Sequence, residues 1–259
     1  MKGFWNKLKA GWYRKGLEYS TLPAVAVPFI LEKAPDARSV LDVGSGCGTL
    51  AIPLAKAGKR VTALDPSAAM IEILKEDIKK EKIKGITPVI AAWGEVDIKP
   101  HDVVLCANVP ALLKDSTVFL KEAGRLARKA VFFIEGADPE ADKFYYKELY
   151  PLLFKKPFGK RTDYIKTYVE LHRLGVFANV EIIEYDFDQP FDDLNEAVEF
   201  WKEYMGIVTE EHDGALKGFL EKKLVRKGKI LLAKFHKKSA IIWWREGERR
   251  KIEPKKAKG

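Results

Sequence analysis

The amino-acid sequence predicts an α/β fold, doubly wound, with a mostly parallel sheet and helices on both faces. Three observations predict it. Over residues 39–136, short β-branched or Leu-rich runs alternate with helix-spaced segments of about ten residues. The first of these runs passes through a glycine-rich loop directly into a helical segment. Hydrophobic residues make up 47% of the chain, which is enough for a sizeable core and excludes wholesale disorder.

Each element can be justified in turn. The first 34 residues read as one or two amphipathic helices rich in Trp and Tyr. A buried strand follows at 39–43, then a helix at 49–57 that stops at Gly58. The next strand, 60–64, ends at Asp65-Pro66-Ser67, where Ser67 is placed to cap a helix. That helix runs to Ile78 with Ile71, Leu74 and Ile78 on one face. Strands are expected at 86–91, 102–106 and 130–134, with a helix at 116–126. Beyond Gly136 the rhythm changes to aromatic-rich helices at 140–154 and 162–174 and a strand at 179–187. Helices at 192–205, capped by Asp192 or Asp193, and 215–226 come next. Residues 229–234 and 240–244 read as a terminal hairpin turning at 236–239. No linker composition appears, so the expected organisation is one domain with a cap. It comprises an N-terminal helical cap at 1–38, a main domain at 39–246 with helical insertions at about 138–176 and 190–228, and a basic tail at 247–259.

The net charge of +9 is not spread over the chain. Residues 1–16 carry five bases and no acid, residues 245–259 carry seven bases and three acids, and the stretch between is formally neutral. Basic ends of this kind are usually solvated tails. Cys47 and Cys106 are the only cysteines, and both sit in apolar surroundings as small core residues rather than nucleophiles. No His and carboxylate pair has metal-ligand spacing, so no metal is expected, and His101, His212 and His236 read as surface residues. The longest apolar stretch near the N-terminus, 23–31, is too short to span a bilayer, and the segment before it lacks a secretory h-region. The expectation is a cytoplasmic protein with no membrane partner. Charged residues at 32% lean toward a thermophilic source.

The informative segment is Asp42-Val43-Gly44-Ser45-Gly46-Cys47-Gly48. Glycine at alternate positions lets a ligand lie against the backbone. A dinucleotide fingerprint would need glycine at position 49, which is Thr, and a phosphate loop would need a Lys. Asp42, two residues before the first glycine, would repel a pyrophosphate and suits an ammonium group. Asp65, 17 residues past Gly48 at the end of the next strand, is placed to accept ribose hydroxyls. Together they favour a nucleoside that carries an amino acid over a dinucleotide.

In motif content, spacing and order, Asp42–Gly48, Asp65 and the strand at 102–108 resemble the class I (Rossmann-like) S-adenosylmethionine-dependent methyltransferases. The resemblance covers roughly residues 39–136, and the later strands fit the family's two terminal strands, giving seven in all. It implies S-adenosylmethionine as cofactor and S-adenosylhomocysteine as product. Gly44, Ser45, Gly46, Cys47 and Gly48 would contact the methionine and ribose parts, with Asp42 beside them and Asp65, followed by Pro66, on the ribose. Ala92 and Trp93 would lie by the adenine, and Asn108 and Val109 by the methyl group. Two departures stand out. Position 92 is Ala where many relatives carry an acid, leaving the adenine amino group to backbone, to Glu95 or to no partner, with Trp93 available to stack. After the fourth strand the chain reads Asn108-Val109-Pro110-Ala111. That lacks the paired prolines and aromatic of nucleic-acid amino-methyltransferases.

Trp12, Tyr13 and Tyr19 either close over the sulfonium or pack the N-terminal helix on the core. Tyr145 and Tyr168 are cap residues that either orient an acceptor or serve structure. A covered pocket points to in-line methyl transfer onto a small-molecule acceptor. The alternative is an RNA methyltransferase using the basic ends. A binding module without turnover and an aminopropyl transferase are two further classes, the latter calling for acids in an acceptor region that is instead apolar.

Overall fold

The computed structural model describes residues 4–113, 117–142, 144–159 and 163–245. The expected basic tail at 247–259 lies outside them. In chain order the elements begin with α1 (Lys7–Leu17), α2 (Leu22–Lys33), β1 (Ser39–Val43), α3 (Ala51–Lys56), β2 (Arg60–Asp65), α4 (Ala68–Glu81) and β3 (Ile86–Ile90). They continue through β4 (His101–Ala107), α5 (Pro110–Leu113), α6 (Thr117–Leu126), β5 (Ala127–Gly136), α7 (Tyr146–Phe154), α8 (Ile165–Arg173) and β6 (Asn179–Asp186). The last are β7 (Gln189–Phe191), α9 (Leu194–Met205), α10 (Asp213–Lys223), β8 (Val225–Lys227), β9 (Ile230–Ala233) and β10 (His236–Arg245).

Seven strands form the main sheet in the order β3-β2-β1-β4-β5-β10-β6. All neighbours run parallel except β10, which is antiparallel to both β5 and β6. Alternate residues of each strand serve opposite faces. Val103 and Leu105 of β4 join α2, α3 and α4 through Ile30, Leu54 and Ile71 on one face. Val104 and Cys106 join α6 and α8 through Phe119 and Leu171 on the other. The doubly wound arrangement puts the order reversal between β1 and β4, where a crevice opens at the strands' carboxyl ends.

The late segments build a satellite unit. Its sheet, β7-β9-β8, backs a core of Phe191, Phe200, Trp201, Leu216 and Leu220 from β7, α9 and α10, joined by Leu149 and Leu153 of α7. The expectation that these insertions are wholly helical is therefore corrected. So is the terminal hairpin: β9 and β10 belong to different sheets, and residues 236–239 lie inside β10, opposite Asp186 to Ile183. No Gly, Asn or Asp in 234–239 supplies the turn that a tight hairpin needs. The hairpin that does form joins β8 to β9 at Gly228, whose φ is 62°. Asp188 holds the two crossings between the sheets together, accepting from Phe235 N–H at 2.9 Å and pairing with Lys234 at 2.7 Å. The helix expected at 140–154 starts only at Tyr146, because Phe144 and Tyr145 both adopt left-handed backbone at φ 60° and 58°.

Helix α1 is the strut between the two units. Asn6 caps it, its side chain accepting from Lys9 N–H. On one side Trp12 is buried in the satellite core, with its Nε1 donating to Glu196 at 3.0 Å. On the other, Arg14 pairs with Asp77 of α4. Removing the Trp12 ring should cost about 3–5 kcal/mol, as for other buried aromatics. Trp12→Ala is thus expected to lower Tm by roughly 6–20 °C in thermal unfolding followed by circular dichroism. A change within about 2 °C would contradict the strut.

Candidate functional site

The loop after β1 closes on itself through backbone bonds. Gly44 and Ser45 N–H donate to Leu64 carbonyl at 2.8 and 3.1 Å, and Gly48 N–H donates to Ser45 carbonyl. Gly44 has φ 72°, and a Cβ there would come within 2.3 Å of Val109 Cγ2. Gly46 has φ 56°, but a Cβ there would meet only Tyr13 Cε1, at 3.9 Å. Gly46 is thus open toward a cleft of about 330 Å³, its mouth included. Asp42, Gly44, Ser45, Thr49 and Leu50 line that cleft on the loop side, with Ala107 and Asn108 from the end of β4. Tyr13 of α1 and Leu22 of α2 close it from above.

Two acids govern its electrostatics. Asp65 accepts from Gly46 N–H at 2.9 Å and from Ser67 N–H at 2.8 Å, so it holds the loop in place. Burial raises its pKa, and those two N–H groups pull it back down. Asp42 is 2% exposed. Burial pushes its carboxyl up to about 7, the charge of Asp65 adds to the rise, and a hydrogen bond from Ala51 N–H opposes it. Ser45 Oγ is buried and has no hydrogen-bond partner among the described residues. An orphaned hydroxyl, an open glycine and a buried acid in one cleft fit a ligand with both donors and acceptors.

Other expected residues fall in varied places. Pro66 lies half-buried between Asp65 and the α4 cap Ser67. Ala92 N–H donates to Glu95 Oε2 at 2.8 Å, so this carboxylate is engaged in its own turn. Trp93 sits edge-on to Phe119 at 4.9 Å. Asn108 adopts φ 56° and donates its N–H to Ile134 carbonyl at 2.8 Å. Burial pushes the Cys47 thiol up to about 12 and the Cys106 thiol well up, so neither is a thiolate nucleophile at neutral pH.

Of the five aromatics considered for closing the pocket, only Tyr13 lines the cleft. Trp12 points to the satellite core, Tyr145 stacks on Trp201, and Tyr168 packs beside the core under α6 and α8. Tyr19 lies beneath Lys227, whose Nζ is 5.6 Å from its ring. His101 is half-buried rather than on the surface, its Nε2 2.8 Å from Thr62 Oγ1. Tyr185 went unnoticed in the sequence: it is buried on β6, with its hydroxyl 3.1 Å from Ser239 Oγ and close to the Asn108 side chain. Its strand carries ordinary alternation and no motif. Among the described residues no group of His, Cys, Asp or Glu is gathered to hold a metal, and no helix is long and apolar enough to cross a membrane.

A family model described as "Methyltransferase domain" matches residues 40–130. An uncharacterized protein of Haemophilus influenzae is 30% identical over 213 residues, covering 80% of this chain and 76% of that one. A probable ribosomal RNA small subunit methyltransferase A of Methanosphaera stadtmanae is 35% identical over 35% of this chain and 34% of its own. A ubiquinone biosynthesis O-methyltransferase of Pelagibacter ubique is 33% identical over 37% of this chain and 40% of its own. Among solved structures, magnesium protoporphyrin IX methyltransferase of Synechocystis with bound SAH superposes with a TM-score of 0.51 at 14% identity, covering 90% of this chain and 85% of that one.

The Asp42 carboxyl gives the free protein a distinctive pH dependence. Below the ordinary carboxylate range both folded and unfolded chains hold the proton. Between about pH 4 and 7 the unfolded chain ionises while the fold keeps Asp42 protonated, so stability falls as pH rises. The raised Asp65 adds in the same direction. Asp42→Asn should flatten this slope in urea titrations run between pH 4 and 8. An unchanged slope would contradict the assignment.

Proposed function

The chain belongs to the class I S-adenosylmethionine-dependent methyltransferases, and from that premise we propose that it methylates a small-molecule acceptor. The observation that carries the proposal is the covered cleft: α1 lies over the loop and the satellite unit stands behind α1. Such enclosure suits an acceptor that fits inside and disfavours a folded RNA. The ubiquinone biosynthesis relative supports this reading; the ribosomal RNA relative and the basic ends support an RNA acceptor instead.

Asp65 would accept the ribose hydroxyls with the lone pairs left over from Gly46 and Ser67 N–H. Asp42 would face the ammonium group, and the backbone of Gly44 to Gly48, Cys47 included, would cradle the methionine and ribose parts. Ala92 and Trp93 would border the adenine, and Asn108 and Val109 the reactive end. When bound, the cofactor supplies a methyl group already activated on a sulfonium. The residues then contribute alignment and exclusion of water, effects worth up to about 7–11 kcal/mol in favourable cases.

Two experiments test this. By calorimetry the protein should bind S-adenosylmethionine and S-adenosylhomocysteine but not NAD. Asp65→Ala should weaken both by at least about tenfold, as expected for lost hydrogen bonds to a charged group. With methyl-labelled cofactor and a cell extract, label should appear in a low-mass product that separates chromatographically from the cofactor, requires the protein and survives ribonuclease. Label confined to ribonuclease-sensitive material would establish the RNA reading instead.

A further inference from the structure

Tyr13 is contributed by α1, outside the segment that matches the family model, so the family's motifs leave its role open. Its hydroxyl reaches Thr49 Oγ1 at 3.1 Å, and both residues line the cleft that holds Asp42. The ring is fixed between Trp5 at 5.4 Å and Phe187 at 5.6 Å. Two hydroxyls that bond to each other use one proton between them, and the other remains to be donated. Ser45 Oγ, also in the cleft and 95% removed from solvent as a residue, is without a partner among the described residues. Among the described residues, no Lys or Arg lines the cleft.

A zwitterionic amino-acid head presents a donor-only ammonium and an acceptor-only carboxylate. Asp42 suits the first and would repel the second. The hydroxyls of Tyr13, Thr49 and Ser45 have the opposite character, since each can donate. The neutral donors and the acid line the same cleft, so together they match the two opposite charges of such a head. We propose that Tyr13 and Thr49, assisted by Ser45, form the subsite for the cofactor's carboxylate. The inference rests on the assignment of the cleft to the cofactor made above. Tyr13 and Trp12, about 100° apart around α1, turn to the cleft and to the satellite core respectively, so one helix serves both.

The test compares two ligands that share the thioether nucleoside and differ in the head. S-adenosylhomocysteine carries the amino acid; 5′-methylthioadenosine lacks it. Tyr13→Phe keeps the ring between Trp5 and Phe187, and Thr49→Val keeps the shape of its side chain. At least one of the two variants, the one that removes the hydroxyl carrying the remaining proton, should bind S-adenosylhomocysteine about 5–20-fold more weakly by calorimetry, the loss of one hydrogen bond to a carboxylate. Binding of 5′-methylthioadenosine, measured directly or by displacement, should stay within about twofold of wild type. Equal losses for both ligands would mean that Tyr13 only covers the cleft, and unchanged S-adenosylhomocysteine binding in both variants would remove the subsite; either overturns the inference. Wild-type protein that binds neither S-adenosylmethionine nor S-adenosylhomocysteine would overturn the cofactor assignment itself.

Discussion

Two carboxylates buried on either side of one glycine loop set the terms for this structure. Asp42 and Asp65 are 2% and 7% exposed, and burial raises both pKa values. Such groups are costly without partners. Asp65 meets the cost with two backbone N–H groups, which is why the loop bends toward it at Gly46. Asp42 has the Ala51 N–H and otherwise faces the cleft. Burial first, and then the charge of Asp65, hold its pKa up.

The helices and the satellite unit extend that arrangement outward. Because β1 and β4 are central and paired on both sides, their carboxyl ends hold Asp42 and Asn108 in fixed register. Helix α1 then crosses the loop, with Tyr13 on the cleft and Trp12 buried in the satellite core. Gln189 Nε2 donates to the Trp12 carbonyl at 3.0 Å, and Lys15 pairs with Glu196 at 2.7 Å, so β7 and α9 grip the same helix. The satellite unit is thereby tied to the helix that crosses the cleft. Motion of α1 would be felt on both sides.

What the sequence revealed was local. Asp42 to Gly48 and Asp65 were legible because glycine and acid at fixed spacing have few structural uses, and the strands of the parallel series because runs such as 102–106 are continuous and apolar. The seven-strand count and the doubly wound order followed from that series and from the family resemblance. The later segments were harder. Residues 229–234 and 240–244 look alike as patterns, yet one joins the satellite sheet and the other the main sheet, between β5 and the edge strand β6. Sheet membership is set by long-range pairing, which period-2 alternation does not encode. The same limit hid Tyr185, and it left Trp12 and Tyr13 equivalent until the structure placed one in the satellite core and the other on the cleft.

The most direct test of the account is the proton balance of cofactor binding. Calorimetric titrations of S-adenosylmethionine at pH 6.5, in two buffers of different ionisation enthalpy, measure the protons exchanged. With its carboxyl near 7, Asp42 is mostly protonated in the free protein and should ionise as the cation arrives. The expected result is release of roughly half a proton or more per cofactor bound, and its disappearance in Asp42→Asn. Binding with no proton exchange, or with net uptake, would contradict the claim that the buried Asp42 carboxyl organises this site.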